Sequence, residues 1–372
     1  MTKKGTLLTV VEWILHSLTV LVCCCFLLTC LIPFISPDLF TWVGFAGLAC
    51  PFLATLLFFV ALLWLFAKPM WALVIVIVLG MGYQQIEVMF GFHLNSDGFS
   101  ETKNKKTIRI IDWNVRGFNG LTGNKKSKKM IRTELAASII KLNADIVCLQ
   151  EFNHSYATHN EANNIGLFSK TYKYYYFSRD YQLANGYTSG SIIFSKFPIV
   201  DSAKLPFPKA ESMIYADIVK GKDTIRVYTT HLQSFKFKKN DYDNIDKLSE
   251  SEEEAIVASK SIFYKMRPAF KRRSKQANMI HKWLKQSPYP SLIAGDFNDV
   301  PNSYTYFTIR NNWQDAFLKT SFGIGRTFAS LSPTLRIDYV LADNAFKIHQ
   351  FDINDEGLSD HYMLISDLEL KK

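Results

Sequence analysis

Residues 292–302 read Leu-Ile-Ala-Gly-Asp-Phe-Asn-Asp-Val-Pro-Asn. A short apolar run closing on glycine and then polar residues reads as a buried strand whose C-terminal end delivers Asp296 and Asn298 into a surface crevice. Side chains two apart on a strand share a face, so the carboxylate and the amide converge on one spot. A carboxylate orients or deprotonates an attacking water. A neutral amide beside it holds a phosphate oxygen without repelling a metal. By itself Gly-Asp-Phe-Asn also fits an ordinary turn, so the reading depends on further blocks.

Four such blocks follow the same rule of a strand ending on a polar residue. Residues 107–115, Thr-Ile-Arg-Ile-Ile-Asp-Trp-Asn-Val, end on Asn114 and lead into Arg116. This is either a strand running into a turn or a site where Asn114 helps hold a metal or phosphate oxygen while Arg116 faces the anion. Residues 144–152 form a second buried strand ending in Gln150 and Glu151. A carboxylate where Asn114 also emerges suits an oxygen-loving cation, although a solvated rim acid fits the pattern too. The segments 215–218 and 224–230 read as a hairpin delivering His231, a residue able to donate a proton or hydrogen bond beside a phosphate. A lone histidine is more often structural. Residues 335–341 place Asp338 inside an apolar strand, an expensive position for an acid without a partner. The natural partner is His361 in Gly-Leu-Ser-Asp-His, since a carboxylate fixes the imidazole tautomer, and Asp360 beside it is placed to join a metal shell.

The elements that must position these residues divide the chain in two. Residues 1–100 hold three of the 43 bases and four of the 33 acids, which leaves 40 bases and 29 acids for the rest. The first part reads as a membrane region and the second as a basic soluble domain with length enough for one large core. Stretches 7–33, 39–66 and 70–92 are each long and apolar enough for a spanning helix of ~20 residues, so residues 1–94 are expected to form three transmembrane helices. Lys3 and Lys4 before the first span and Lys68 between the second and third put the N-terminus in the cytoplasm by the positive-inside rule. Three crossings of an inner or plasma membrane then put the catalytic part outside, in the periplasm if the cell is Gram-negative. Residues 95–106 read as a flexible linker, with Lys103, Lys105 and Lys106 opposing that orientation.

Within 107–372, Ile131, Leu135, Ile139 and Leu142 recur at helical spacing behind a basic loop at 125–129. The tyrosine-rich strand at 172–177 and the strand at 190–198 suit core packing or base stacking. Near 236–275 the pattern becomes a helical basic insertion, with cap signals at Ser249 and Ser251 and Pro268 expected to interrupt it. Its end carries Lys265, Arg267, Lys271, Arg272, Arg273 and Lys275, a solvated face or a surface for anionic headgroups or an acidic substrate. Five of six cysteines lie in the membrane region and Cys148 alone in the soluble part, which excludes a disulfide framework or cysteine metal site there.

Taken together, Asn114, Glu151, His231, Asp296 with Asn298, Asp338, and Asp360 with His361 resemble the endonuclease/exonuclease/phosphatase superfamily, with its deoxyribonuclease-I-like fold, over about residues 107–370. The resemblance implies an α/β four-layer sandwich, two mixed β-sheets flanked by helices, hydrolysing phosphodiesters or phosphomonoesters with Mg²⁺ or Mn²⁺. It implies Glu151 as principal metal ligand with Asn114 and Asp360 nearby, Asp296 positioning water, Asn298 and His231 on the phosphate, and Asp338 with His361 stabilising the transition state. Arg116 stands where repair endonucleases of the family carry an acid, and Met363 where many members carry a proline. The substrate is then a lipid headgroup or a nucleic acid, the other partner is the bilayer, and no obligate protein partner is evident. A protein that keeps the fold only to bind phosphorylated ligands is the competing class.

Overall fold

The computed structural model describes residues 3–93, 98–121, 127–156, 162–208, 211–235, 252–329 and 335–371, with backbone alone for 3–8, 252–259 and 261. The N-terminal region contains α1 (Lys3–Thr29), α2 (Trp42–Ala67), α3 (Pro69–Met81) and α4 (Tyr83–Glu87). Two of these helices, the first and second, are long and apolar enough to cross a membrane. The third expected span is instead a 13-residue helix that breaks at Gly82 before the short α4. Side-chain pairs nevertheless tie this broken arm to the first helix at two levels, one within it and one at its C-terminal end. Lys68 pairs with Glu12, and Gln85 donates to the Thr29 carbonyl at 3.0 Å. The stretch of α1 between those two points is about 26 Å long at the helical rise of 1.5 Å per residue.

The next element, β1 (Gly91–Phe92), already belongs to the C-terminal part. After it come β2 (Ile108–Asn114), α5 (Lys128–Lys141), β3 (Ile146–Ser155), α6 (Asn164–Phe168), β4 (Tyr174–Phe177), β5 (Tyr181–Gln182) and β6 (Tyr187–Ser195). They are followed by β7 (Ile199–Pro206), β8 (Ser212–Lys220), β9 (Asp223–His231), α7 (Glu252–Lys285), β10 (Ser291–Asp296) and α8 (Tyr304–Arg310). The chain closes with β11 (Gln314–Asp315), α9 (Ala316–Thr320), β12 (Phe322–Gly323), β13 (Asp338–Ala342), β14 (Phe346–Asn354) and β15 (Met363–Leu370). One sheet runs β14-β15-β2-β3-β6-β4, with β5 on β6; the other runs β11-β13-β10-β9-β8-β7. Both are mixed, because β2 with β3 and β9 with β10 are parallel while their neighbours are antiparallel.

Strand alternation explains both the core and the site. Ile108 and Ile110, Ile225 and Val227, Leu292 and Ala294, and Val340 and Ala342 point between the sheets and fill one buried cluster, Cys148 among them. The opposite faces pack outward: Ile111, Trp113, Val147 and Leu149 against α5 and α6, and Tyr228, Ile293 and Leu341 against α7 and α8. The result is helix, sheet, sheet, helix. Continuing each inward row to the C-terminal end of its strand reaches Asp112 and Asn114 on β2, Thr229 and His231 on β9, and Asp296 on β10.

Several local expectations are corrected by the packing. The helix α7 is continuous across Pro268, since Pro268 and Tyr264 lie on an exposed face where water can take the carbonyl that proline leaves unbonded. The cap signals at Ser249 and Ser251, and residues 236–251 of the insertion, lie outside the described residues. Residues 98–106 of the linker are held rather than loose: Ser100 N donates to Gln350, and the buried Arg109 donates to the carbonyls of Ser100 and Glu101. The N-terminal helices also pack on the C-terminal part, with Asn302 Nδ2 donating to the Gln85 backbone and side-chain oxygens at 2.7 and 2.8 Å. Val88 sits in the same cluster as Phe297 and Tyr339, and β1 pairs with β12.

Candidate active site

Four strand ends, a bulge within β3 and two turns bring the polar residues to one rim; β3 does not end at Glu151, as the sequence suggests, but runs on to Ser155. Asn114 Nδ2 donates to Asp296 Oδ2 at 3.0 Å and to Glu151 Oε1 at 3.2 Å, which joins the two sheets across their ends. Glu151 arrives there through a bulge between Leu149 and Phe152, with a left-handed φ of 51°. Uninterrupted alternation would have sent its side chain to the helix layer, behind the sheet. Asn298 has φ 52° in the turn after β10, where its N–H donates to Asp296 Oδ1 at 2.7 Å and its amide to the Leu232 carbonyl. The convergence of Asp296 and Asn298 is therefore made by a turn and not by strand alternation.

Asp338 is the first residue of β13, not an interior one, and it lies directly opposite Asp296 because β10 and β13 are antiparallel. His361 Nδ1 sits 2.9 and 3.0 Å from the two Asp338 oxygens, with Nε2 3.8 Å from Asp296 Oδ2. The ring is held from behind: Trp113 Nε1 donates to the His361 carbonyl, and Phe328 packs 4.8 Å from the imidazole. His231 Nε2 is 3.6 Å from Asp296 and 3.7 Å from Glu151 and makes no hydrogen bond among the described residues. An opening of about 290 Å³ lies over Glu151 and His231, walled by Gly117, Asp180, Tyr181, Tyr187 and Glu211.

Electrostatics follow from that crowding. Burial, and then the Asp338 carboxylate, push Asp296 up to about 6 against the opposing pull of His361, His231 and Asn114. Burial would lower His361, but Asp338 and Asp296 outweigh it and raise the ring to about 10, so it carries its proton at neutral pH. His231 is raised as well, since Asp296, Glu151 and Glu211 outweigh its desolvation.

Seven of the nine residues singled out in sequence thus meet as one cluster, and the Arg116–Asp360 pair stands at its edge. Asp360 pairs with Arg116 at 3.3 Å, which satisfies the carboxylate by a guanidinium. Arg116 in turn is fixed by its N–H to Asn114 Oδ1. Sequence reasoning passed over Asp112, which is buried beneath the site, accepts from Gln150 Nε2 at 2.7 Å, and is raised well above the usual carboxylate range by burial and by Asp338. The signal was available: like Asp338, it is an acid within an apolar strand. Ser359, whose hydroxyl donates to the Asn114 carbonyl, and Arg273 left no comparable mark. Arg273, read as part of a basic face, is fully buried, bonded to Asp299 and to the Gln233 carbonyl, and so clamps the turns after β10 and β9.

The donors fit a hard divalent cation. Glu151 offers a partly exposed carboxylate at the opening, and carboxylate oxygens suit Mg²⁺ or Mn²⁺; Asn114 turns its Nδ2 to Glu151, while its Oδ1, the atom that could ligate a cation, accepts from the Arg116 N–H. Asp296, Asp338 and His361 also have ligand atoms within 4.8 Å of one another, but the His361–Asp338 bond occupies that set.

Residues 113–361, two thirds of the chain, match the family model described as the endonuclease/exonuclease/phosphatase family. Residues 12–89 match a model described as a domain of unknown function. No curated protein is a significant match. Similar solved structures include an endonuclease/exonuclease/phosphatase from Bacteroides vulgatus, 19% identical with TM-score 0.49, covering 72% of this chain and 100% of that one. One from Beutenbergia cavernae DSM 12333 is 18% identical with TM-score 0.48, covering 72% of each chain. A family protein from Leptotrichia buccalis C-1013-b is 16% identical with TM-score 0.49, covering 71% of this chain and 100% of that one.

Proposed function

The chain belongs to the endonuclease/exonuclease/phosphatase family, and from that premise we propose that it is a membrane-embedded, Mg²⁺- or Mn²⁺-dependent hydrolase of a phosphodiester or phosphomonoester. The observation that carries the reading is the meeting of Asn114, Glu151, His231, Asp296, Asn298 and His361 at one rim of the two sheets. Ionised Asp296, held by Asn298 N–H and Asn114, orients the attacking water and accepts its proton. The unpartnered Nε2 of His231 and the amide of Asn298 hold phosphate oxygens. His361, kept protonated by Asp338, offers Nε2–H to charge developing on the phosphoryl group. Glu151, with Asn114 and with Asp360 once it leaves Arg116, would hold the cation, which supplies charge neutralisation at the phosphate oxygens.

The membrane assignment rests on α1 and α2, both 26 residues or longer, and on the arm from Lys68 to Gln85 that spans the same depth. Three traverses with Lys3 and Lys4 inside put the catalytic part on the extracytoplasmic side. A lipid headgroup is then the favoured substrate. The +10 chain also suits nucleic acid. Purified protein with Mg²⁺ is assayed against phospholipids, simple phosphate esters, DNA and RNA, with Asp296→Asn as control. Hydrolysis of a phosphoester that vanishes in the control is expected; turnover surviving in Asp296→Asn would defeat the assignment. Activity on DNA that collapses with rising salt would favour the nuclease reading over the lipid one.

A further inference from the structure

Between α2 and two turns of the catalytic part lies a cavity of about 690 Å³ with an almost wholly apolar lining. That volume is within the ~300–1,000 Å³ of small-molecule sites. One wall is Phe52, Leu56 and Phe59 of α2, and the other is Val300, Pro301 and Leu335. We propose that this cavity holds an acyl chain of the substrate, which makes the substrate a membrane lipid bearing a phosphoester; the inference rests on the hydrolase reading above.

Shape, surroundings and connection all point to a hydrocarbon chain. The lining runs along α2 from Gly47 to Phe59, a length of about 18 Å at 1.5 Å per residue. Phe52 and Phe59 are 63% and 57% exposed, so the cavity opens toward the side where lipid tails pack on a spanning helix. Water gains no hydrogen bonds from such walls, and a protein partner would have to enter the hydrocarbon layer to reach them. The second wall is tied to the chemistry: Val300 stands two residues beyond Asn298, and Leu335 three before Asp338. Asn302, on the same turn, is locked to Gln85 of the membrane region, which fixes the cavity relative to the site. At the mouth end of α2, Phe45 stacks on Phe263 and meets Phe270 edge-on, at 4.6 and 5.1 Å. This seats the exposed Lys265, Arg267, Arg272 and Lys275 of α7 at headgroup level, where their charges can meet lipid phosphates.

The test uses full-length protein in nanodiscs of a phosphate-free glycolipid, which offers no phosphoester to cleave, with Mg²⁺ and p-nitrophenyl alkyl phosphates whose arm lengthens from methyl to octyl. If the arm enters the cavity, kcat/KM rises by up to about fourfold per methylene, the equivalent of ~0.8 kcal/mol each. Leu56→Trp, which fills the cavity, flattens the series. Leu63→Trp, on the same helix at a 72% exposed position outside the cavity, keeps the slope and controls for insertion and folding. A flat series in the wild type, or a slope retained by Leu56→Trp, overturns the proposal. A binding arm separates it from the hydrolase reading: a short-chain fluorescent phospholipid titrated into Asp296→Asn should bind at least tenfold more weakly when Leu56→Trp is added. That loss without turnover of any ester would support the cavity and defeat only the hydrolase reading, and equal binding in both backgrounds would overturn the cavity.

Discussion

Asp296 is buried beside a second carboxylate, and its pKa near 6 records a compromise between that repulsion and two imidazoles. Because folding raises this pKa above its ordinary 3.8, the contribution of Asp296 to stability is fullest below pH 3.8 and falls as pH rises through about 6. His361 has the same sign for the opposite charge type. Its pairing stabilises the fold below the ordinary imidazole value of 6.5, and that support is lost as pH rises through about 10. Asp338→Asn removes the charge acting on both. We expect the His361 titration, followed by NMR on metal-free protein, to move down toward 6.5, and the acidic limb of kcat/KM, set by Asp296, to move below 6. An unmoved His361 would mean that another group holds its proton. Replacing the base outright, as Asp296→Asn, should cut kcat about 10²- to 10⁴-fold with a preserved circular-dichroism spectrum.

The strands place these residues by alternation, and two close approaches set the tolerance. A Cβ at Gly295 would come 2.2 Å from the Thr230 carbonyl oxygen, so β9 and β10 can lie side by side only with glycine there. Gly295→Ala should cost about 1–3 kcal/mol, read as a lower denaturation midpoint, by forcing apart the strands that carry His231 and Asp296. The buried Arg273 of α7 holds Asp299 at 3.1 Å and the Gln233 carbonyl at 2.9 Å. Arg273→Met leaves Asp299 buried without its cation, and about 3–5 kcal/mol is the expected loss. The sequence marked this arginine only as one base in a run. What separates it from its exposed neighbours is the face of α7 it occupies, between the rings of Phe235 and Phe270 at 4.3 and 4.9 Å.

At the scale of the molecule, the N-terminal helices keep a core of their own and are joined to the C-terminal part by Val88 and by a buried polar contact. Gln85 and Asn302 hydrogen-bond across the junction, and a double-mutant cycle of Gln85→Ala with Asn302→Ala should give a coupling of about 0.5–3 kcal/mol in thermal unfolding. Additive effects would mean that the two parts behave as independent bodies. The sequence by itself determined the strand ends at Asn114, His231 and Asp296, the apolar N-terminal helices and the set of acids, amides and histidines, because alternation, hydropathy and polar residues at the close of apolar runs are local properties of a chain; it misplaced the end of β3, which runs past Glu151 to Ser155, and the start of β13, which is Asp338. Family resemblance carried the sheet pair. Only the tertiary structure decided that Glu151 turns into the site through a bulge, that Asp338 faces Asp296 across antiparallel strands, and that Asp360 pairs with Arg116. It alone joined α2 to the turns beyond Asn298, since a contact between residues hundreds of positions apart is fixed by how whole layers pack and leaves no periodic trace in either segment.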